Sequence, residues 1–117
     1  ELGAIVKSLV FTIGGRPVMA LVAGDRRCDT AALPEALGMA GPVRRADADL
    51  VREATGFAIG GVAPVGHALP VAIDASLGRF DEVWAAAGHP HCVFATSIHE
   101  LVELTRGRLA DRIAPPP

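Results

Sequence analysis

Gly60-Gly61-Val62-Ala63-Pro64-Val65-Gly66-His67 packs three glycines and a proline into eight residues, then gives way to the apolar run Leu69 to Ile73, which ends on Asp74. The contrast between the two halves organises the chain. A short, continuous apolar run bounded by turn residues is expected as a central strand buried on both faces. The glycine cluster before it is expected as a loop. Where side chains are missing, backbone N–H groups can approach a ligand closely. The same composition also suits an ordinary connector. It is neither a phosphate loop nor a dinucleotide fingerprint, since G-x-x-x-x-G-K-[ST] and G-x-G-x-x-G are both absent.

Upstream lies Ala4-Ile5-Val6-Lys7-Ser8-Leu9-Val10-Phe11, which contains the only lysine; the other ten basic residues are arginine. The segment is β-branched and apolar, so a strand is predicted over Ile5 to Ile13. Alternation sets Lys7 on the face of Ile5, Leu9, Phe11 and Ile13, and leaves Val6, Ser8, Val10 and Thr12 on a more polar face. An ammonium on an apolar face loses hydration unless it is paired, or unless it snorkels to water at a strand end.

The remaining elements follow from punctuation. Gly14-Gly15 is a two-residue hairpin signal, with the returning strand over Pro17 to Ala23. Gly24 to Arg27 is a polar turn. Asp29 or Thr30 caps a helix that reaches Leu37 and stops at Gly38, with a late start or a bend expected at Pro34. Pro42 to Arg45 reads as extended. Asp47 caps a helix whose apolar face is Leu50, Val51 and Ala54 and which ends at Gly56. Ser76 to Arg79 is a turn or short helix. Glu82 to Ala87 is a strand, Gly88-His89-Pro90-His91 interrupts it, and Cys92 to Ala95 resumes it. Ser97-Ile98-His99-Glu100 is a capping box for a last helix to about Arg106, stopped by Gly107. Arg108 to Ile113 is a final edge strand, and Ala114 to Pro117 a tail without core-forming residues. The fold class is α+β (mixed α/β), a single domain with a mixed sheet and interspersed helices.

At 117 residues the chain is long enough for a core without disulfide or metal staples. A net charge of −2 argues against tight nonspecific binding to long nucleic acid. Arg26-Arg27, Arg44-Arg45 and Arg106/Arg108/Arg112 are local patches that read first as solvated surface. Cys28 and Cys92 are far apart and form no C-x-x-C motif, which suits core or half-buried thiols and a reducing, cytoplasmic setting. No stretch has the length and apolarity of a membrane span. The chain begins almost at a strand, which suggests a missing upstream segment.

Candidate chemistry is sparse. Ser8, Ser76 and Ser97 lack a G-x-S-x-G setting. His91 and Cys92 are adjacent and would point to opposite faces of a strand, so they are poorly placed as a dyad. His67, His89 and His91 could form a three-histidine metal site with an open position. Asp74 is either the cap of the following turn or a site group.

Taken together and in order, Ile5 to Phe11, Leu21 to Arg27, Gly60 to Gly66, Leu69 to Asp74 and Ala87-Gly88-His89 resemble the YbaK/ProX family of aminoacyl-tRNA deacylases, which includes the editing domain of prolyl-tRNA synthetases. The resemblance implies a mixed sheet curled into a barrel-like core with surrounding helices, spanning residues 1–113, with 114–117 as tail. It implies hydrolysis of the ester of a mischarged aminoacyl-tRNA, on tRNA for proline, without a cofactor or resident metal. The family's lysine falls on Lys7, and its glycine-proline loop on Gly60 to Gly66. Lys7 and Gly61 would then be catalytic. Gly60, Val62, Pro64, Gly66, His67 and one of His89 and His91 would contact substrate. The partners implied are the acceptor 3′ end of tRNA and a synthetase such as prolyl-tRNA synthetase, not DNA and not a membrane. A non-catalytic module binding aminoacyl-adenosine on the same fold is the alternative, and a histidine-metal hydrolase a third.

Overall fold

The computed structural model describes residues 1–59, 61–89 and 91–117, so expectations that fall on Gly60 and Pro90 lie outside it. Strand β1 (Val6–Ile13) turns through Gly14-Gly15 into β2 (Arg16–Ala23), with Ile13 opposite Arg16. Both turn glycines have positive φ, +57° and +81°, as a tight hairpin that matches strand twist requires. Strand β3 (Val43–Arg45) pairs antiparallel with the far half of β1 only, at Phe11 to Ile13. On the other side β2 pairs in parallel with β4 (Val71–Asp74), and β4 with β7 (Arg108–Ala110). The sheet order is β3-β1-β2-β4-β7, mixed and open, with β3 and β7 at its edges. A separate antiparallel ribbon joins β5 (Val83–His89) to β6 (Cys92–Thr96).

The apolar run after the glycine loop is the strand expected: all of Val71, Ala72, Ile73 and Asp74 are buried. Two cores explain this. One lies on the face of Val6, Val10, Met19, Leu21 and Ile73, and is closed by Val51, Val83, Ala85 and Leu101. The other lies on the face of Phe11, Ile13, Val18, Val22 and Ala72, and is closed by Leu33, Leu37, Ile113 and Ala114. The face of β1 expected to be the more polar is therefore a core face as well. Both sides of the sheet are covered, so both sides of β1 must be mostly apolar.

Among the described residues, three helices supply part of the covering. Helix α1 (Leu33–Leu37) follows a 3-10 turn at Thr30–Ala32 that Asp29 caps through Ala31 N–H, and it ends at left-handed Gly38. Pro34 sits in its first turn, where no intrahelical donor is needed, so it starts the helix rather than bending it. Helix α2 (Ala48–Thr55) is capped by Asp47, which accepts from Leu50 N–H, and stops at Gly56. Helix α3 (Ile98–Thr105) is capped by Ser97, which accepts from Glu100 N–H at 3.1 Å. Here Arg106, not Gly107, takes the left-handed position, with φ +55°.

Two other boundaries differ from expectation. β5 continues through Gly88 to His89, and the break in pairing appears instead as a register shift between Ala86 and His89. The last strand stops at Ala110, yet the chain beyond it stays in contact with the body. Ile113 and Ala114 are 0% and 3% exposed, the Ile113 carbonyl accepts from Asp29 N–H at 2.6 Å, and the Ala114 carbonyl from Arg26 Nη1 at 3.1 Å. Asp74 proves to be a cap and a weld. It accepts from Ser76 N–H at 2.8 Å, Ser76 Oγ at 2.7 Å and Ala23 N–H at 3.0 Å, tying the end of β4 to β2.

Candidate active site

The site follows from the shortness of β3. Because β3 covers only the far half of β1, the outer edge of β1 from Val6 to Leu9 has, among the described residues, no strand partner beyond a single parallel bridge, Ile5 to Trp84 of β5. From that bridge β1 and β5 run in the same direction with no further strand pairing between them among the described residues. The wedge between them is a cavity of about 360 Å³ lined by Val6, Lys7, Ser8, Leu9, Arg45, Ile59, Val62 and Ala86. Four consecutive β1 residues line it, so it runs along the backbone edge rather than over one face.

The orientation of that edge is fixed by the hairpin. Gly24 N–H donates to the Ile5 carbonyl, which directs the main-chain groups of the odd-numbered residues of β1 toward β2. Those of Val6, Ser8 and Val10 then point outward, and the Val10 carbonyl accepts from Ala46 N–H at 3.1 Å. The main chain of Ser8 faces the wedge, and its Oγ is buried without a hydrogen-bond partner among the described residues. Such a group calls for a water or ligand partner.

Lys7 is half-buried on the face of Leu9 and Phe11, as alternation predicted, and its Nζ donates to the Arg26 carbonyl. Its ammonium is therefore held at the turn after β2 by a neutral acceptor. No carboxylate lies within ion-pair distance of it among the described residues. The charge is anchored but not cancelled.

Of the other residues singled out from the sequence, Val62 shares the cavity with Lys7. Gly61 and Pro64 are buried beneath the loop surface. Gly61 N–H donates to the Ala58 carbonyl at 3.0 Å, so this amide is used inside the loop. His67 also works inward. Its Nδ1 accepts from Leu69 N–H at 3.4 Å, which leaves the proton on Nε2, 3.2 Å from the Ala63 carbonyl. Burial holds its imidazole below the ordinary value of 6.5. Gly66 has φ +91° and packs on the Phe57 ring, as does Gly88 of β5 with φ +92°. Phe57 thus clamps the loop to the ribbon. It is delivered by the end of α2, where Thr55 Oγ1 donates to the Val51 carbonyl and accepts from Phe57 N–H.

His89 and His91 are exposed at the ribbon tip, with ring centroids 6.2 Å apart, and neither lines the cavity. Among the described residues no group of three or more His, Cys, Asp or Glu side chains is placed to hold a metal ion. Burial pushes the half-buried Cys28 thiol up to about 11, so it is protonated and a poor nucleophile near neutral pH. Cys92, expected to be at least half-buried, is exposed. No described helix is long and apolar enough to cross a membrane.

Sequence reasoning missed Ser8, Arg45, Ile59 and Ala86 as cavity residues. Ser8 had a signal, its place beside Lys7, but it was weighed only as a nucleophile. The other three come from separate elements and carry no local signature.

Residues 1–104 match the family described as aminoacyl-tRNA editing domain. A solved structure described as a candidate trans-editing enzyme for prolyl tRNA synthetase superposes with a TM-score of 0.90 at 44% identity, over 98% of this chain and 73% of that one. The uncharacterized protein YwhH of Bacillus subtilis is 36% identical over 108 residues, which is 90% of this chain and 68% of YwhH. A proline–tRNA ligase of Maridesulfovibrio salexigens is 39% identical over 66 residues, so the similarity covers 56% of this chain but only 11% of the ligase. On sequence and on fold alike, the chain belongs to the aminoacyl-tRNA editing domain family.

Proposed function

We propose that this domain is a trans-acting deacylase that hydrolyses the ester joining a wrongly selected amino acid to the 3′ end of a tRNA, the tRNA for proline. The observation that carries the reading is the wedge itself. It brings the only lysine, an outward-facing stretch of main chain and a small aliphatic wall, Val62 and Ala86, to one cavity. The sheet and ribbon, joined at the Ile5–Trp84 bridge, would act as the barrel-like wall of the pocket. The similarity to a proline–tRNA ligase and to a candidate trans-editing enzyme supports the choice of tRNA.

An aminoacyl ester is already activated, so positioning and charge stabilisation suffice and no nucleophilic triad is needed. Water adds to the ester carbonyl, negative charge grows on the carbonyl oxygen, and the ribose oxygen leaves with a proton. The products are free amino acid and uncharged tRNA. Lys7 supplies fixed positive charge for a phosphate or carbonyl oxygen of the acylated adenosine. The Ser8 N–H is the donor aimed at the developing oxyanion, with the loop amides that follow Gly61. Gly61 itself shapes the loop. Val62, with Pro64 behind it, limits the side chain accepted. A hydrophobic pocket separates neighbours in size poorly, which is why a second, smaller sieve is useful. His67 and Gly66 hold the loop in place, and His89 or His91 at the ribbon tip would meet the tRNA end.

A panel of mischarged tRNAs carrying alanine, cysteine, serine or threonine tests the reading. The expected outcome is rapid release of one small amino acid from tRNA for proline and slow release of the rest. Tight binding with no release from any member would leave a non-catalytic module instead.

A further inference from the structure

We infer that Trp84 is a stacking platform for a nucleobase of the single-stranded RNA 3′ end, the base next to the one that carries the ester. The inference rests on the editing reading for the presence of that RNA end, and on the geometry of β5 for its place.

Trp84 is the only tryptophan in a chain with four phenylalanines and no tyrosine, and it is 42% exposed. Its neighbours in sequence, Val83 and Ala85, are 0% and 1% exposed and belong to the first core. Alternation therefore turns Trp84 to the opposite face of the ribbon, together with Ala86. Ala86 lines the Lys7 cavity. The indole thus stands on the same face as the cavity wall, about 7 Å along the strand from it. It also sits at the apex of the wedge, where β5 bridges β1 at Ile5.

What surrounds the indole suits a base better than water. Ile5, across the bridge, is 47% exposed, and Ala95, opposite Trp84 on β6, is exposed as well. Together they put exposed apolar side chains around the indole, on the strand that also carries the cavity residue Ala86. Arg45 lines the same cavity, with its guanidinium over the Phe11 ring at 5.5 Å and in no ion pair among the described residues, so no carboxylate cancels its charge and it can meet the intervening phosphate. A flat π-face together with a cation that no carboxylate neutralises is the pairing by which proteins hold single-stranded RNA without reading its sequence. The arrangement explains how a domain with a net charge of −2 could hold one short RNA end and ignore long duplex.

The lone tryptophan is its own reporter. An uncharged RNA hairpin ending in single-stranded CCA is titrated into the protein while tryptophan emission is followed, and the anisotropy of labelled hairpin is measured in parallel. The expected result is saturable quenching that tracks the anisotropy. Trp84→Ala should weaken binding roughly 5- to 100-fold, the range for losing one base–aromatic stack, while Trp84→Phe stays much nearer wild type. A hairpin with abasic sugars in place of the two cytosines should bind wild type about as weakly as Trp84→Ala binds the intact end. Circular dichroism of each variant guards against a folding defect. Binding without quenching, or equal affinity of wild type and a folded Trp84→Ala, would overturn the platform while leaving deacylation untouched. Emission that changes with protein concentration alone would overturn it in favour of a contact between copies. Quenching and loss in Trp84→Ala without any ester hydrolysis would uphold the platform and sink the deacylase.

Discussion

Gly88 shows how a single residue fixes the site. Its φ of +92° disfavours any side chain, and a Cβ there would meet Phe57 Cε1 at 2.9 Å. Gly88→Ala is expected to lower stability by about 1–3 kcal/mol, read as a fall in the urea midpoint, because it combines backbone strain with displacement of the ring that clamps loop to ribbon. His67 gives a prediction of a different kind. Burial depresses its pKa in the folded chain, so the unfolded chain takes up the proton first. Its contribution is complete above the ordinary value of 6.5 and is lost as pH falls through the folded-state value. The urea midpoint of wild type should therefore drop more steeply than that of His67→Gln as pH falls from 6.5 to the folded-state value. Parallel curves would show that the loop does not depend on the neutral imidazole.

At the scale of elements, the caps are the most legible part of the sequence. Asp47, Ser97 and Gly38 act where their residue types say they should, because capping needs only local chemistry. Ser97→Ala should cost about 1 kcal/mol in the same urea experiment, with Ser97→Asp close to wild type. The hairpin and the buried run after the glycine loop were legible for the same reason: period and turn residues are local. Three features were not. That β3 stops short of Leu9, that a single bridge, Ile5 to Trp84, joins the start of β1 to β5 among the described residues, and that Ala114 packs into a core all depend on pairings between distant segments. The sequence pointed to Lys7 and to the glycine loop, but the wedge between strands that joins them appears only in three dimensions. The face of Val6, Ser8, Val10 and Thr12, more polar in sequence because of the Ser8 and Thr12 hydroxyls, is still a core face, because both sides of the sheet are covered.

At the scale of the molecule, one five-stranded sheet divides two cores, and the proposed site lies along a stretch of the β1 edge that, among the described residues, neither β3 nor β5 pairs with. The sheet thus presents an anchored positive charge beside main chain that faces the cavity, with the loop and ribbon clamped together by Phe57. The proposed ester hydrolysis would draw on this preorganisation. The most direct test compares wild type with Lys7→Ala on the mischarged tRNA that wild type hydrolyses best, measuring single-turnover deacylation and, separately, affinity for the uncharged tRNA. The account predicts a fall in the deacylation rate of about 10²-fold or more with the variant still folded and affinity changed far less. A folded Lys7→Ala that deacylates at the wild-type rate would contradict it.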